Sequence, residues 1–414
     1  MSIRHFFIWL HRWAGLAMAG FLILVGLTGS LLAFWSGLER LICPQLYAAP
    51  RPGVAPLDLA TLAERAGALV PQCRVTGVEF HPDQVWVSFA PHHMDPTTGQ
   101  PCKLGFNQLL VDPWTGAELG RRNFGDLSQG RINLLPFIYQ LHSDLKLGSA
   151  GYWTLGGVAV LWTVDCFVGF YLTLPVAIDR FWQRWRASWL VKRRAGFYSF
   201  NFLWHRASGL WLWAMLLIFA WSSVMLNCYP VYDRVTGAVF DYTWATGQSK
   251  ATATREGDHP PKLDWCAAQD VGTRLMAEQA ALHGFTVERA EALAFVPVEG
   301  AYYYSAKTSR DVSDEIGTAV VFDGDTGAFR SLRLATGEHS GNTVTSWLYA
   351  LHTAELFGLP YRIFVCALGI AITILSLTGI HIWWKKLGMR RLTSKRRRAL
   401  SSVMRMPEAG AGRE

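Results

Sequence analysis

The chain is 414 residues long, 51% hydrophobic and only 17% charged, with 19 Trp. A soluble globular chain carries about 25% charged residues, so a wholly soluble or disordered polypeptide is a poor description. The net charge of +8 does not argue for a nucleic-acid partner, because the charges are divided by segment along the chain.

Residues 1–12 form a short basic terminus, followed by a first charge-free apolar stretch, 13–38. A long polar segment, 39–147, leads to a second apolar stretch, 148–178, interrupted by Asp165. A basic loop, 179–206, precedes a third, charge-free stretch, 207–232. A second long polar segment, 233–362, leads to the fourth stretch, 363–384, which contains His381, and to a basic tail, 385–414. Each apolar stretch is long enough to span a bilayer, which takes about 20 apolar residues. The first is too long for a secretory h-region of about 7–15 residues and reads as a retained helix.

The flanks give the orientation. Net charges are +2 in 1–12, +6 in 179–206 and +8 in 385–414, against −1 in 39–147 and −6 in 233–362. Because Lys and Arg are retained on the cytoplasmic side, the expected protein is a multi-pass bacterial inner-membrane protein, N-in and C-in, with both long segments periplasmic. The basic excess then meets lipid headgroups.

Both long segments read as short strands and turns with some helix. In the first, 59–69 has a helical pattern, 75–80 and 84–89 alternate as strands, and 109–112 runs into Pro113-Trp114-Thr115-Gly116. In the second, 264–283 is helical, 286–298 and 302–307 are strands, and 318–322 leads into Asp323-Gly324-Asp325-Thr326-Gly327. The order repeats, and so do the flanking sequences. Trp9-Leu10-His11-Arg12-Trp13-Ala14-Gly15-Leu16 aligns with Leu203-Trp204-His205-Arg206-Ala207-Ser208-Gly209-Leu210 at an offset of 194. Leu141-His142 aligns with Leu351-His352 at 210, as do Gly169 with Gly379 and Tyr171 with His381. The chain is thus expected to be a parallel internal repeat about an axis along the membrane normal.

The repeat sets histidines at matched depths: His11 and His205 at the inner ends of the first and third spans, His142 and His352 at the outer ends of the second and fourth. His381 lies near the inner face and could replace either inner histidine. Pseudo-twofold symmetry lets matched imidazoles face each other, which is what bis-histidine haem ligation needs. The bland alternative is that such histidines anchor helices at the interface or cap carbonyls. Arg12 and Arg206 are either positive-inside anchors or partners for haem propionates. Asp165, costly in mid-span, reads as a polar contact to Thr163 or Thr373, or as a proton relay.

The His-Arg-x-x-Gly opening of the first and third spans, the Leu-His before the second and fourth, the Asp-x-x-Thr-Gly turns and the closing Leu377-Thr378-Gly379-Ile380-His381-Ile382-Trp383-Trp384 resemble the PepSY-associated transmembrane proteins, over roughly residues 3 to 388. Within that family the chain looks most like the FoxB-type ferric-siderophore reductases. The resemblance implies an α-helical integral membrane protein with four transmembrane helices and two α+β PepSY-like periplasmic domains. It implies two haem b groups, with the family's histidines at His11, His205, His142 and His352, passing electrons outward to Fe(III) in a periplasmic siderophore and releasing Fe(II). Reduction weakens hard oxygen ligation of iron. The negative exterior segments suit a neutral or cationic ferric complex better than an anionic one, and a hydroxamate siderophore is the favoured type.

Trp114, Tyr302, Tyr303 and Tyr304 are candidate aromatic contacts for such a complex, and Glu338, His339 and Glu355 lie near the outer histidines in sequence. Strand-rich domains bury aromatics in any case, and loop placement is the bland reading of the rest. The seven cysteines form no metal or redox motif; Cys73, Cys102 and Cys266 are expected in an oxidising compartment, with Cys73 to Cys102 a candidate disulfide. The chain carries no G-x-G-x-x-G or Walker loop, so the electron donor is expected from elsewhere. Two other readings stay open: a haem electron-transfer protein working with quinol or another partner, and a non-catalytic PepSY interaction protein without haem.

Overall fold

A computed structural model describes residues 2–91, 105–192, 196–243 and 260–403. In chain order the helices are α1 (Ile3–Leu32), α2 (Trp35–Ile42), α3 (Leu59–Leu69), α4 (Leu134–Asp144), α5 (Ser149–Thr173), α6 (Phe181–Arg186), α7 (Phe197–Trp211), α8 (Trp213–Asn227), α9 (Tyr229–Val239), α10 (Trp265–His283), α11 (Ser340–His352) and α12 (Gly358–Val403). The strands are β1 (Cys73–His81), β2 (Gln84–Pro91), β3 (Gln108–Val111), β4 (Glu118–Arg122), β5 (Val287–Val296), β6 (Ala301–Thr308), β7 (Thr318–Asp323) and β8 (Phe329–Arg333).

Among the described residues three helices are long and apolar enough to cross a membrane: α1, α5 and the part of α12 from Gly358 to Gly388, with 30, 25 and 31 residues. The third stretch expected from sequence differs. It is a broken pair, α7 and α8, bent by 68°. Ser208 and Gly209 lie in the turn before the break, and a Gly/Ser pair is a common site of sharp kinks. The chain then starts a new helix, α9, with Pro230 in its first turn, where a missing N–H costs nothing. The first stretch also differs at its ends. α1 begins at Ile3, so Arg4, His11 and Arg12 are helical, and it stops at Leu32 before the short α2.

The chain forms two units. One contains residues 1–27, 157–221 and 368–414 and is helical. Within it Arg4 donates to the carbonyls of Leu172 and Leu174 at 2.9 and 3.1 Å, satisfying two of the orphan acceptors at the end of α5. A Cβ at Gly26 would fall 2.7 Å from the Gly369 carbonyl oxygen, so α1 and α12 cross at a contact that only a residue without a side chain permits.

The other unit contains residues 28–156 and 222–367. Its centre is one eight-stranded antiparallel sheet in the order β4-β3-β2-β1-β5-β6-β7-β8. The two domains expected from sequence are therefore two halves of one sheet. β1 and β5 join them through Gly77↔Ala294, Val78↔Leu293 and Glu79↔Ala292. Both are long strands whose alternating residues already face a common core, so pairing them removes two exposed edges.

Val78, Val85, Val87, Leu109, Leu293, Tyr302, Tyr304 and Phe322 point to one face and pack against α3 and α10. Asp58 and Asp264 cap those helices by accepting from Thr61 N and Ala267 N, each at 2.8 Å. A Cβ at Gly272 would come within 2.6 Å of the Tyr304 ring, so this glycine lets α10 lie directly on β6. On the opposite face the buried Arg122 donates to Glu39 at 2.6 Å, and Tyr47 donates to the same carboxylate at 2.9 Å.

The Asp-x-x-Thr-Gly motif has a local cause. Asp112 accepts from the N–H groups of Trp114 and Thr115 at 2.7 and 3.0 Å, and Asp323 accepts from those of Asp325 and Thr326 at 3.0 and 2.9 Å. Gly116 and Gly327 follow at φ of 66° and 71°, a region that favours glycine. Cys102 lies outside the described residues, and with it the expected bridge from the buried Cys73.

Candidate functional site: two histidine pairs

Four of the five candidate histidines come together as two pairs, one within each unit. His11 on α1 faces His205 on α7, with ring centres 6.3 Å apart and ring planes at 56°. His142 on α4 faces His352 on α11, with ring centres 6.4 Å apart and planes at 60°. An imidazole nitrogen lies about 1.1 Å from its ring centre and about 2.0 Å from a metal it binds. Two imidazoles on opposite sides of one iron therefore have ring centres about 6.2 Å apart. Both pairs have this spacing.

The second test is what the other ring nitrogen does. His11 Nδ1 is 2.9 Å from Asp165 Oδ1. His205 Nδ1 is 2.9 Å from Thr378 Oγ1 and 3.2 Å from the Leu375 carbonyl. His142 Nδ1 is 2.9 Å from Thr28 Oγ1, and His352 Nδ1 is 2.7 Å from Ser222 Oγ. In all four a partner lies on Nδ1, which fixes the ring, the arrangement that usually stands behind a metal-bound histidine. Burial, with His142 opposite, pushes His352 down to about 3, so at neutral pH the ring is the neutral imidazole.

Helix ends and glycines hold the rings in place. α4 ends in Leu145 at φ 57° and α11 is followed by Ala354 at φ 61°, so each chain turns away directly after its histidine. A Cβ at Gly29 would sit 3.0 Å from His142 Cε1. One at Gly379 would sit 3.4 Å from His205 Cε1, and one at Gly169 would sit 3.6 Å from His11 Cε1. Glycine thus lines three of the four rings.

Among the described residues, no three His, Cys, Asp or Glu side chains gather to hold a metal ion. Two axial nitrogens per site fit a metal whose remaining positions are filled by a macrocycle, and haem is the biological case. In the helical unit two buried donors add to that fit. Arg206 donates to the Ala187 carbonyl at 2.6 Å while its Nε has no partner among the described residues, and His381 Nδ1 has none either.

The other candidates fall elsewhere. His381 packs edge-on against Phe197, ring centres 5.2 Å apart, and in no described ring contact does it face His11 or His205. Arg12 is half-buried with no hydrogen bond or ion pair among the described residues. Asp165 bonds to His11 rather than to Thr163 or Thr373, whose hydroxyls bond to the Ala159 and Gly369 carbonyls. Tyr302 and Tyr304 are core residues, 1% and 5% exposed. Tyr303 lies on the other face and bonds to Glu299, and the Trp114 indole donates to the Val54 carbonyl at 3.0 Å. His339 pairs with Asp241 at 2.7 Å, Glu338 bonds to His283, and Glu355 accepts from Ser313 and from Asp314 N.

Thr28, Ser222 and Thr378 were not singled out in the sequence. A signal was present for two of them: Thr28 and Ser222 stand at the offset of 194 that relates His11 to His205.

Apolar helices long enough to cross a membrane, a large antiparallel sheet and two facing histidine pairs define the class as a membrane protein. The chain belongs to the PepSY-associated TM region family, whose model matches residues 8–386. No protein of curated function matches it.

Proposed function

We propose that the protein is a haem b reductase of the bacterial inner membrane that passes electrons outward to a ferric siderophore in the periplasm and releases Fe(II). The observation that carries this reading is the pair of imidazole spacings, 6.3 and 6.4 Å, with every Nδ1 occupied by a partner. His11 with His205, and His142 with His352, would each hold one haem. Bound there, haem supplies one-electron redox chemistry.

The chain's own part is to hold and orient. Asp165, Thr378, Thr28 and Ser222 fix the four rings, so little rearrangement accompanies a change of charge at the metal. The apolar helices exclude water, and Arg206 and His381 offer donors suited to a propionate. α1 contributes His11 to the first pair and Thr28 and Gly29 to the second. The positive-inside charge pattern supports a cytoplasmic position for the first pair. The acceptor in this reading is a ferric siderophore of the hydroxamate type, bound near the sheet. The electron donor is a separate reductant.

The test is anaerobic. Protein reduced stoichiometrically and freed of excess reductant is mixed with a ferric hydroxamate and an Fe(II) chelator. Reoxidation with one Fe(II) per electron supports the reading. Prompt reoxidation by a quinone, with none by any ferric siderophore, favours the electron-transfer alternative.

A further inference from the structure

We propose that Asp165 makes the His11/His205 site the low-potential haem of the two, so that its hydrogen bond to His11 sets the direction of internal electron flow. The inference rests on the two-haem reading above and goes beyond it by assigning the sites different potentials.

The argument starts from the internal repeat. Where it is symmetric, so are the ring partners: Thr28 on His142 and Ser222 on His352 are both neutral hydroxyls, at 2.9 and 2.7 Å. In the other unit the symmetry is broken. Asp165 stands at the offset of 210 from Leu375, and both contact a histidine. Leu375 offers only its backbone carbonyl, at 3.2 Å, and Thr378 a hydroxyl, while Asp165 offers a carboxylate with both oxygens within 3.0 Å of His11 Nδ1. His11 thus has a carboxylate on Nδ1, where His142, His352 and His205 have a hydroxyl within 2.9 Å.

The chemical consequence has a definite sign. A carboxylate accepting from Nδ1–H pulls that proton away and gives the imidazole more anionic character, which makes Nε2 a stronger donor. A stronger donor and a nearby negative charge both favour Fe(III) over Fe(II). Asp165 is 7% exposed, so water screens its charge weakly. The site's reduction potential falls. An electron would then pass downhill from the group held by His11 and His205 to the one held by His142 and His352, the first oxidised as the second is reduced, with no bond made or broken. In this role Asp165 is a positioning residue acting through His11. The burial of a mid-span carboxylate, unfavourable for stability, has its use here.

The experiment is a mediated redox titration of the purified full-length protein, followed by visible spectroscopy, in wild type, Asp165→Asn, Ser222→Ala and His142→Ala. The wild type should titrate as two b-type components. Asp165→Asn keeps the size of the side chain and a hydrogen bond to His11, and should raise the lower potential at least tenfold in reduction equilibrium, about 59 mV for one electron, leaving the upper one in place. Ser222→Ala should leave the lower component unchanged. In His142→Ala the surviving component should be the lower one, and this arm stands even if Asp165→Asn loses its haem or fails to fold. Two haems with neither potential moved by Asp165→Asn, a shift in the upper component, or survival of the upper component in His142→Ala would each overturn the assignment while leaving the two-haem reading intact. Protein purified from haem-replete cells without haem would overturn both.

Discussion

Gly29 offers the sharpest mutational test of how a ring is held. A Cβ there would lie 3.0 Å from His142 Cε1, whereas carbon atoms sit best about 3.5–4.0 Å apart. Gly29→Ala therefore pushes the imidazole away by roughly 0.5–1 Å, more than the about 0.2 Å a metal–ligand distance tolerates. Overpacking of this size costs about 1–3 kcal/mol, or a loss of roughly 5- to 150-fold in haem affinity at the His142/His352 site. Replacing glycine by alanine within a helix favours folding by up to about 1 kcal/mol, so the chain should fold while the site suffers. Gly169→Ala is the matched control, because its Cβ would meet His11 at 3.6 Å, an ordinary contact. The assay is haem per chain by extraction after washing with apomyoglobin, which takes up haem that dissociates. Gly29→Ala should lose the component that His142→Ala loses, and Gly169→Ala should lose neither. Full retention of both components in Gly29→Ala, or selective loss in Gly169→Ala, refutes the packing argument.

Other substitutions test separate parts of the account. His381→Ala should keep both haems, because His381 packs on Phe197 and faces neither His11 nor His205; a missing spectral component would return it to the ligand set. Arg122→Ala leaves Glu39 buried and uncompensated and should cost about 3–5 kcal/mol in chemical denaturation, with the double change Glu39→Met and Arg122→Met costing less. Burial raises the Glu291 carboxyl to about 7 from an ordinary value of 4.5. Its neutral form is the one favoured by folding, so its contribution is full below pH 4.5 and is lost as pH rises through about 7. Glu291→Gln should thus stabilise the protein by about 1–3 kcal/mol at pH 8 and by little at pH 4.5, read from unfolding in detergent; equal effects at both values contradict the assignment.

Much of this was legible because the chain states its pattern twice. α3 matched its expected bounds to the residue, and β1, β2, β3, β5, β6 and β7 each fell within a few residues of an expected strand, since alternating apolar residues on a half-buried sheet follow a period of two. The edge strands β4 and β8 were missed. Their sequences, Glu-Leu-Gly-Arg-Arg and Phe-Arg-Ser-Leu-Arg, carry the charge that edges use against aggregation, and this hides the strand period. The joining of the halves through β1 and β5 was not legible, because an edge that pairs with another segment looks like any other half-buried strand. The break between α7 and α8 escaped because hydropathy is blind to bending, although Ser208 and Gly209 were in plain sight. At the site, matched histidines were readable from the two offsets. Their Nδ1 partners were not, since a hydroxyl in an apolar helix usually bonds to its own backbone, as Thr163 and Thr373 do.

The central claim is that facing imidazoles hold iron in two places. It is tested most directly by a dithionite-reduced minus oxidised visible spectrum of the wild-type protein, with extracted haem counted per chain. The account predicts a sharp b-type α band and about two haems per chain, the count set by two bis-histidine sites. A colourless protein from haem-replete cells would contradict it, and would leave the four histidines as hydrogen-bonded helix contacts.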